Sequence, residues 1–331
     1  MIRAVTERVE LPSLQGAPAR MALGNGTLIV ADHGNTLHSV VGWDGEGAVR
    51  TESVALAGVP SGLAVSPSAQ HVLITYEDSG AIDIMSLPDL APALSLTVAD
   101  AKASRAACLS RWQGAEFVLV SPERAVLEAR SIPDGELAFK GAATRPNPFV
   151  FDRLVPVLGA DEVVAIGYFH SETRDSLFAF SFAAAVANAG AVERAASQRD
   201  PIEDYAYRIA AGPAPPAGIV VFRDPEDAED DPDSEDGALY GFRGLYTRRL
   251  ADGQVTGRFE YDGPVPSGSP LFASESAIVV GRIDGVEVVP RAGSAERTMV
   301  YSTVYALDAG QLRFAVLQPD GSLTIYDAGP S

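Results

Sequence analysis

The stretch VPSGLAVSPSAQHVLITYEDSGAIDIMSLPDLAPALSLTV, residues 59–98, decides the fold. GLAV (62–65), HVLITY (71–76), AIDIMS (81–86) and LSLTV (94–98) are short runs rich in aliphatic and β-branched residues, which suit pleated strands. Between them stand SPS, EDSG and LPDLAP, whose Ser, Asp, Gly and Pro supply the backbone angles and local hydrogen bonds of turns. Four strands in about 40 residues make one antiparallel unit of the size used by radially repeated β architectures.

Working outward, a β segment, a polar turn and a second β segment recur seven times. The first segments are TLIVA from Thr27, HVLITY from His71, EFVLV from Glu116, EVVAIG from Glu162, GIVVF from Gly218, AIVVG from Ala277 and RFAVL from Arg313. Successive starts lie 44, 45, 46, 56, 59 and 36 residues apart. A period in the forties is that of a propeller blade, and the two long intervals contain insertions. Register agrees as well. Ser86-Leu87-Pro88-Asp89 and Ser131-Ile132-Pro133-Asp134 each fall 15 residues after the start of the preceding segment, and Gly42 takes the same offset in the first unit.

After residues 322–327 only four residues remain, so the seventh unit lacks an outer strand. IRAVTERVE, residues 2–10, is β-capable and precedes the first full unit, so it is expected to complete the last blade. Closure removes an unpaired edge that would otherwise invite aggregation. The expected fold is therefore all-β: a single seven-bladed propeller spanning 1–331, closed by an N-terminal strand. Two insertions stand out. Residues 183–190, AAAVANAG, read as a surface excursion; residues 223–237 form an acidic loop with nine acids between Asp224 and Asp236, a density that cannot pack.

The repeat resembles the seven-bladed propellers of the WD40-like and YVTN-like kind, most clearly in GNGTLIVADHGNTLHSVV, residues 24–41. The Gly-His and Trp-Asp dipeptides of WD40 blades do not recur; Trp43-Asp44 occurs once, in a turn. The resemblance implies a ring-shaped scaffold that binds proteins, or sometimes small ligands, on its central face. It assigns no catalytic residue.

Composition narrows the function. The 331 residues carry 44 Asp plus Glu against 25 Lys plus Arg, a net charge of −19, which repels nucleic acid and anionic membrane surfaces. No apolar run approaches the roughly 20 residues of a membrane span, and MIRAVTERVELPS lacks the basic and apolar regions of a secretory signal. A single cysteine, Cys108, permits no internal disulfide and reads as an inert core thiol. With only Lys102 and Lys140 as lysines and abundant Ala, Gly and Pro, the chain reads as a bacterial cytoplasmic protein.

The turns after the seven segments should emerge together around a central channel. They are Asp32-His33-Gly34-Asn35, Glu77-Asp78-Ser79-Gly80, Pro122-Glu123-Arg124, residues 170–175 (HSETRD), the acidic loop, Arg282-Ile283-Asp284-Gly285 and Pro319-Asp320-Gly321. Each contains a carboxylate, so this face should be negative, although Asp and Gly also favour turns for local reasons. The first reading is a non-catalytic scaffold that docks a basic protein surface through His33, Asp78, Glu123, His170, Arg174, Asp230, Asp231 and Asp284, where charge steers the encounter. The second is Ca²⁺ binding; residues 231–237 look like a calcium loop, but the glycine is one place late and the closing glutamate is missing. The third is a propeller hydrolase or lactonase using His33 and His170 with Asp32, Asp78 and Glu172. His38 and His71 lie in strands and read as packed or surface residues. The expected site has no cofactor, no metal and no catalytic residue.

Overall fold

The computed structural model describes residues 3–9, 18–43, 49–76, 79–98, 106–123, 126–142, 149–158, 162–169, 175–181, 198–199, 205–215, 217–224, 243–263, 265, 269–291, 297–318 and 321–329. Strand β1 (Arg3–Val9) precedes β2 (Pro18–Gly24), β3 (Thr27–Asp32), β4 (Thr36–Val41) and β5 (Arg50–Ala55). Then come β6 (Pro60–Val65), β7 (His71–Tyr76), β8 (Ala81–Ser86) and β9 (Ala91–Thr97), followed by β10 (Ala107–Trp112), β11 (Ala115–Val120), β12 (Val126–Ser131) and β13 (Leu137–Ala142). The next group is β14 (Phe149–Pro156), β15 (Glu162–Phe169), β16 (Asp175–Ser181), β17 (Gln198–Arg199), β18 (Tyr205–Ala214), β19 (Gly218–Asp224), β20 (Gly244–Arg249) and β21 (Val255–Glu260). The chain ends with β22 (Leu271–Ala273), β23 (Ala277–Arg282), β24 (Gly285–Pro290), β25 (Thr298–Tyr301), β26 (Tyr305–Asp308), β27 (Arg313–Leu317) and β28 (Leu323–Asp327).

These strands form an all-β propeller. Among the described residues there are six sheets: five of four strands, and one of eight running from β14 to β21. The seven segments that set the sequence period are β3, β7, β11, β15, β19, β23 and β27, each the second strand of its unit. The N-terminal strand pairs antiparallel with β28, Arg3 opposite Asp327 and Val9 opposite Leu323, so the last sheet runs β1-β28-β27-β26. The expected closure is thus what the chain does. The acidic loop beyond Asp224 and residues 183–190 lie outside the described residues.

The second strands are apolar runs because both of their faces are buried, and alternate side chains serve opposite neighbours. In β3, Leu28 and Val30 pack towards Ala315, Leu323 and Ile325 of the last sheet, whereas Ile29 and Ala31 pack towards Val72 and Ile74 of β7. In β7 the intervening Leu73 faces Leu109 and Val118 of the next sheet. Such interfaces continue around the ring. One of them, Val155 and Val164 against Ile219, Val221 and Tyr246, joins the two halves of the eight-stranded sheet face to face. Among the described residues, those halves are hydrogen-bonded where Asp175 and Ser176 of β16 oppose Ala206 and Tyr205 of β18.

Candidate functional site

The first strands of the units, β2, β6, β10, β14 and β26, surround an open cavity of about 1770 Å³, and Pro213 of β18 and Pro270 beside β22 complete its wall. Their inner edges have no further strand to pair with, so the wall is largely backbone and short side chains. Among the described residues, its charged members are Arg20, Arg111, Arg153 and Arg282 against Asp152 and Asp308. This wall is built from first strands and is distinct from the turn face expected to be negative.

Asp308 does not offset the arginines as an open carboxylate. Its oxygens accept the backbone N–H groups of Asn25, Gly310 and Gln311 at 2.9–3.1 Å, tying the β2–β3 turn of the first sheet to the last. Burial raises its carboxyl above the usual range, against the pull of those hydrogen bonds. The arginines differ in how they are held. Nε of Arg20 donates to the Pro60 carbonyl at 2.6 Å, and Nη1 of Arg153 donates to the Ser269 carbonyl at 3.0 Å. Burial lowers the Arg153 pKa, partly offset by neighbouring Asp152. Arg282 pairs with Glu287 at 2.8 Å and stands 3.2 Å from Asp284.

At the mouth of this cavity the Arg282–Gly285 turn projects Ile283, which is 85% exposed. On the adjoining strand β25, Tyr301 sits opposite Gly285 and is 72% exposed. Position 285 must be glycine: its φ is +153°, and a Cβ there would lie 2.1 Å from the Val300 carbonyl. The turn is thus pressed against β25, so the two exposed apolar side chains lie at the same end of this sheet.

Of the residues expected at the turn face, His33 is exposed and Glu123 is exposed with Lys140 at 3.7 Å. Asp284 is part-exposed beside Arg282. Neither His33 nor Glu123 lines the cavity. Asp78, His170, Arg174, Asp230 and Asp231 lie outside the described residues, as does Glu172. Asp32, offered as a hydrolase residue, is occupied. One oxygen accepts from the N–H groups of Gly34 and Thr36 at 2.9 Å, and the other meets His38 Nε2 at 3.1 Å. Burial pushes its carboxyl up, but these hydrogen bonds outweigh it and hold the group below the usual range.

His38 Nδ1 in turn lies 2.8 Å from Ser53 Oγ, giving an Asp32–His38–Ser53 chain with the composition of a catalytic triad. Because a carboxylate only accepts, Nε2 carries a proton and donates it to Asp32. The neighbouring units explain this arrangement differently. His38, Asp83 and Glu128 each occupy the third position of a third strand, 45 residues apart, and face Ser53, Ser95 and Lys140 across the outer strand pair. Asp83 accepts from Ser95 at 2.7 Å and Tyr76 at 2.6 Å; Glu128 holds Arg130 at 2.8 Å and Lys140 at 3.3 Å. The triad-like set is the first member of a repeated cross-strand tie, remote from the cavity wall.

His71 is also packed rather than poised: its Nδ1 lies 2.5 Å from Glu116 of the next sheet, which also accepts from Ser68. Cys108 is buried, and desolvation pushes its thiol far up, so it is an inert core group. Among the described residues no three His, Cys, Asp or Glu side chains stand together as metal ligands would. The sequence reading missed the channel arginines because it tracked second strands, whereas Arg20, Arg111 and Arg153 sit on weakly patterned first strands.

No family model matches the chain, and no curated protein matches it. Solved structures do. A chain of hydrazine synthase from Kuenenia stuttgartiensis is similar over 96% of this chain and 97% of its own, with TM-score 0.62 and 12% identity. BamB from Moraxella catarrhalis is similar over 93% of this chain and 84% of its own, with TM-score 0.53 and 14% identity. The likeness is one of fold. At these identities it carries the propeller architecture and no activity.

Proposed function

We propose that this protein is a non-catalytic interaction scaffold: a seven-bladed propeller that serves as a subunit of a multiprotein bacterial assembly in the cytoplasm. The seven-blade count is supported by the eight-stranded sheet, whose halves share two residue pairs and pack face to face through Val164, Val221 and Tyr246, as separate blades would. The observation that carries the function is the exposure of Ile283 and Tyr301 at the same end of the β22–β25 sheet. Large apolar side chains held out by a rigid turn are the anchors of protein interfaces, because their burial on binding supplies hydrophobic free energy without a folding cost. Asp284 lies beside Ile283 in the same turn, so a partner with a basic residue next to an apolar patch fits best.

The test is affinity capture from a lysate of the native cells, using the full chain and an Ile283→Asp, Tyr301→Ser variant. The scaffold reading expects a stoichiometric partner on the wild type that is lost from the variant while its melting temperature is retained. Equal capture by both proteins would move the docking surface elsewhere. A parallel deletion of residues 225–236 reads out the part played by the acidic loop.

A further inference from the structure

In a protein of net charge −19, the described wall of the channel bears four arginines, of which Arg282 is paired with Glu287 and Asp284, against two aspartates, and among the described residues no lysine, glutamate or histidine. We infer that this channel binds a small polyanion, a molecule bearing two or more phosphate or carboxylate groups, between Arg111, Arg153 and their neighbours. The inference is independent of the docking surface outside.

Dimensions set the class of ligand. The seven-residue strand β2 spans about 23 Å at about 3.3 Å per residue. A volume of about 1770 Å³ over that length gives a bore about 10 Å across. A bore of this width admits a small molecule with its hydration shell.

The donors have capacity to spare. A guanidinium carries five N–H donors in a planar fork that matches phosphate and carboxylate oxygens. Arg153 donates one of them to the Ser269 carbonyl, and among the described residues the carboxylate that acts on it is Asp152, on its own strand and exposed. Arg111 is exposed on the next inner strand and makes no hydrogen bond or ion pair with any described residue. Its cross-strand neighbour Glu116 is held instead by His71 and Ser68. Packing alone does not explain an arginine left without a carboxylate in a chain with 44 of them. Nor does the overall negative charge forbid an anion here. At physiological ionic strength charges beyond about 8 Å are screened, while guanidiniums in the bore act at contact.

The experiment is isothermal titration of the full-length protein with inorganic pyrophosphate and, separately, with citrate, in low salt and again at 0.5 M salt (about a 4 Å Debye length). One saturable site is expected for at least one of the two anions, weakened by the higher salt, and the stronger binder identifies the phosphate or carboxylate chemistry. Arg153→Gln should weaken binding by at least tenfold, and Arg111→Gln severalfold, both about the loss of one charge-assisted contact. Because Arg111 is exposed and makes no hydrogen bond or ion pair with a described residue, R111Q should keep its fold even if R153Q does not, which circular dichroism checks. Failure of both anions to bind below about 1 mM (weaker than about −4 kcal/mol), or unchanged binding in R111Q and any folded R153Q, overturns the inference.

Discussion

The sheets built from β2 to β13 and the eight-stranded sheet from β14 to β21 use the same core and different ties. In the first region the outer strand pairs are fastened by His38–Ser53, Asp83–Ser95 and Glu128–Lys140, repeating in step with the 45-residue unit. In the second, the equivalent third position of β20 is Tyr246, fully buried and opposite Arg258. Yet Val164, Ile219 and Val221 there are as buried as Leu28, Ile29 and Ile74 in the first region. Inter-unit packing is what every part of the ring requires; the acid- or His-centred tie at the third position belongs to the regular arc, while β20 and β21 are joined instead by Thr247 and Thr256 at 2.9 Å.

Removing the closing strand should have the largest effect, since both regions depend on a closed ring. Deleting residues 1–10 strips the backbone hydrogen bonds between β1 and β28 and exposes the edge of β28. Calorimetry should show a fall of about 10 °C or more, from several lost hydrogen bonds at about 1 kcal/mol each. Deleting residues 225–236 should shift the same transition by less than about 2 °C, because shortening a long loop costs little.

Next come the cores. Ile74→Ala and Ile219→Ala should each cost about 3 kcal/mol in urea unfolding, as both side chains are wholly buried between units. A cost at Ile219 below half that at Ile74 would break the claim that the two regions share one kind of packing.

The ties are smaller and would sharpen the contrast. His38→Ala should cost about 1–2 kcal/mol by leaving Asp32 and Ser53 without their shared partner. Ser53→Ala should cost less than that and should change no hydrolytic activity.

The smallest effect is on pH dependence. Asp32 is depressed in the folded state, so its contribution is present above the unfolded pKa of about 3.9 and is lost as pH falls through the lower folded value. Asp32→Asn should therefore be less stable than wild type at pH 7, and the gap should narrow as pH drops below about 4. A gap that stays constant with pH would remove the carboxylate from the account.

Much of this architecture was legible in the sequence because burial on both faces writes an apolar run into every second strand. TLIVA, HVLITY and AIVVG mark β3, β7 and β23 to within a residue, and the short last unit pointed to β1 as its missing strand. The 45-residue spacing of His38, Asp83 and Glu128 was equally present in the letters. It went unread because one His, one Asp and one Glu share a position only once the strands are in register. The cavity wall was the least legible. Inner strands such as PARMALG and ACLSRW have one edge in the channel and carry a mixed pattern, so Arg20 and Arg111 looked like ordinary surface charge. Ile283, by contrast, was visible as an aliphatic residue at a turn tip, but only its 85% exposure separates it from a buried one.

Hydrogen exchange on the protein, alone and with its captured partner, tests the scaffold claim most directly. The account predicts slowed exchange of backbone amides in residues 282–285 and 298–301, with the outer strands β5 and β9 unchanged. Protection confined to those outer strands, with the Arg282–Gly285 turn exchanging as in the free protein, would contradict it.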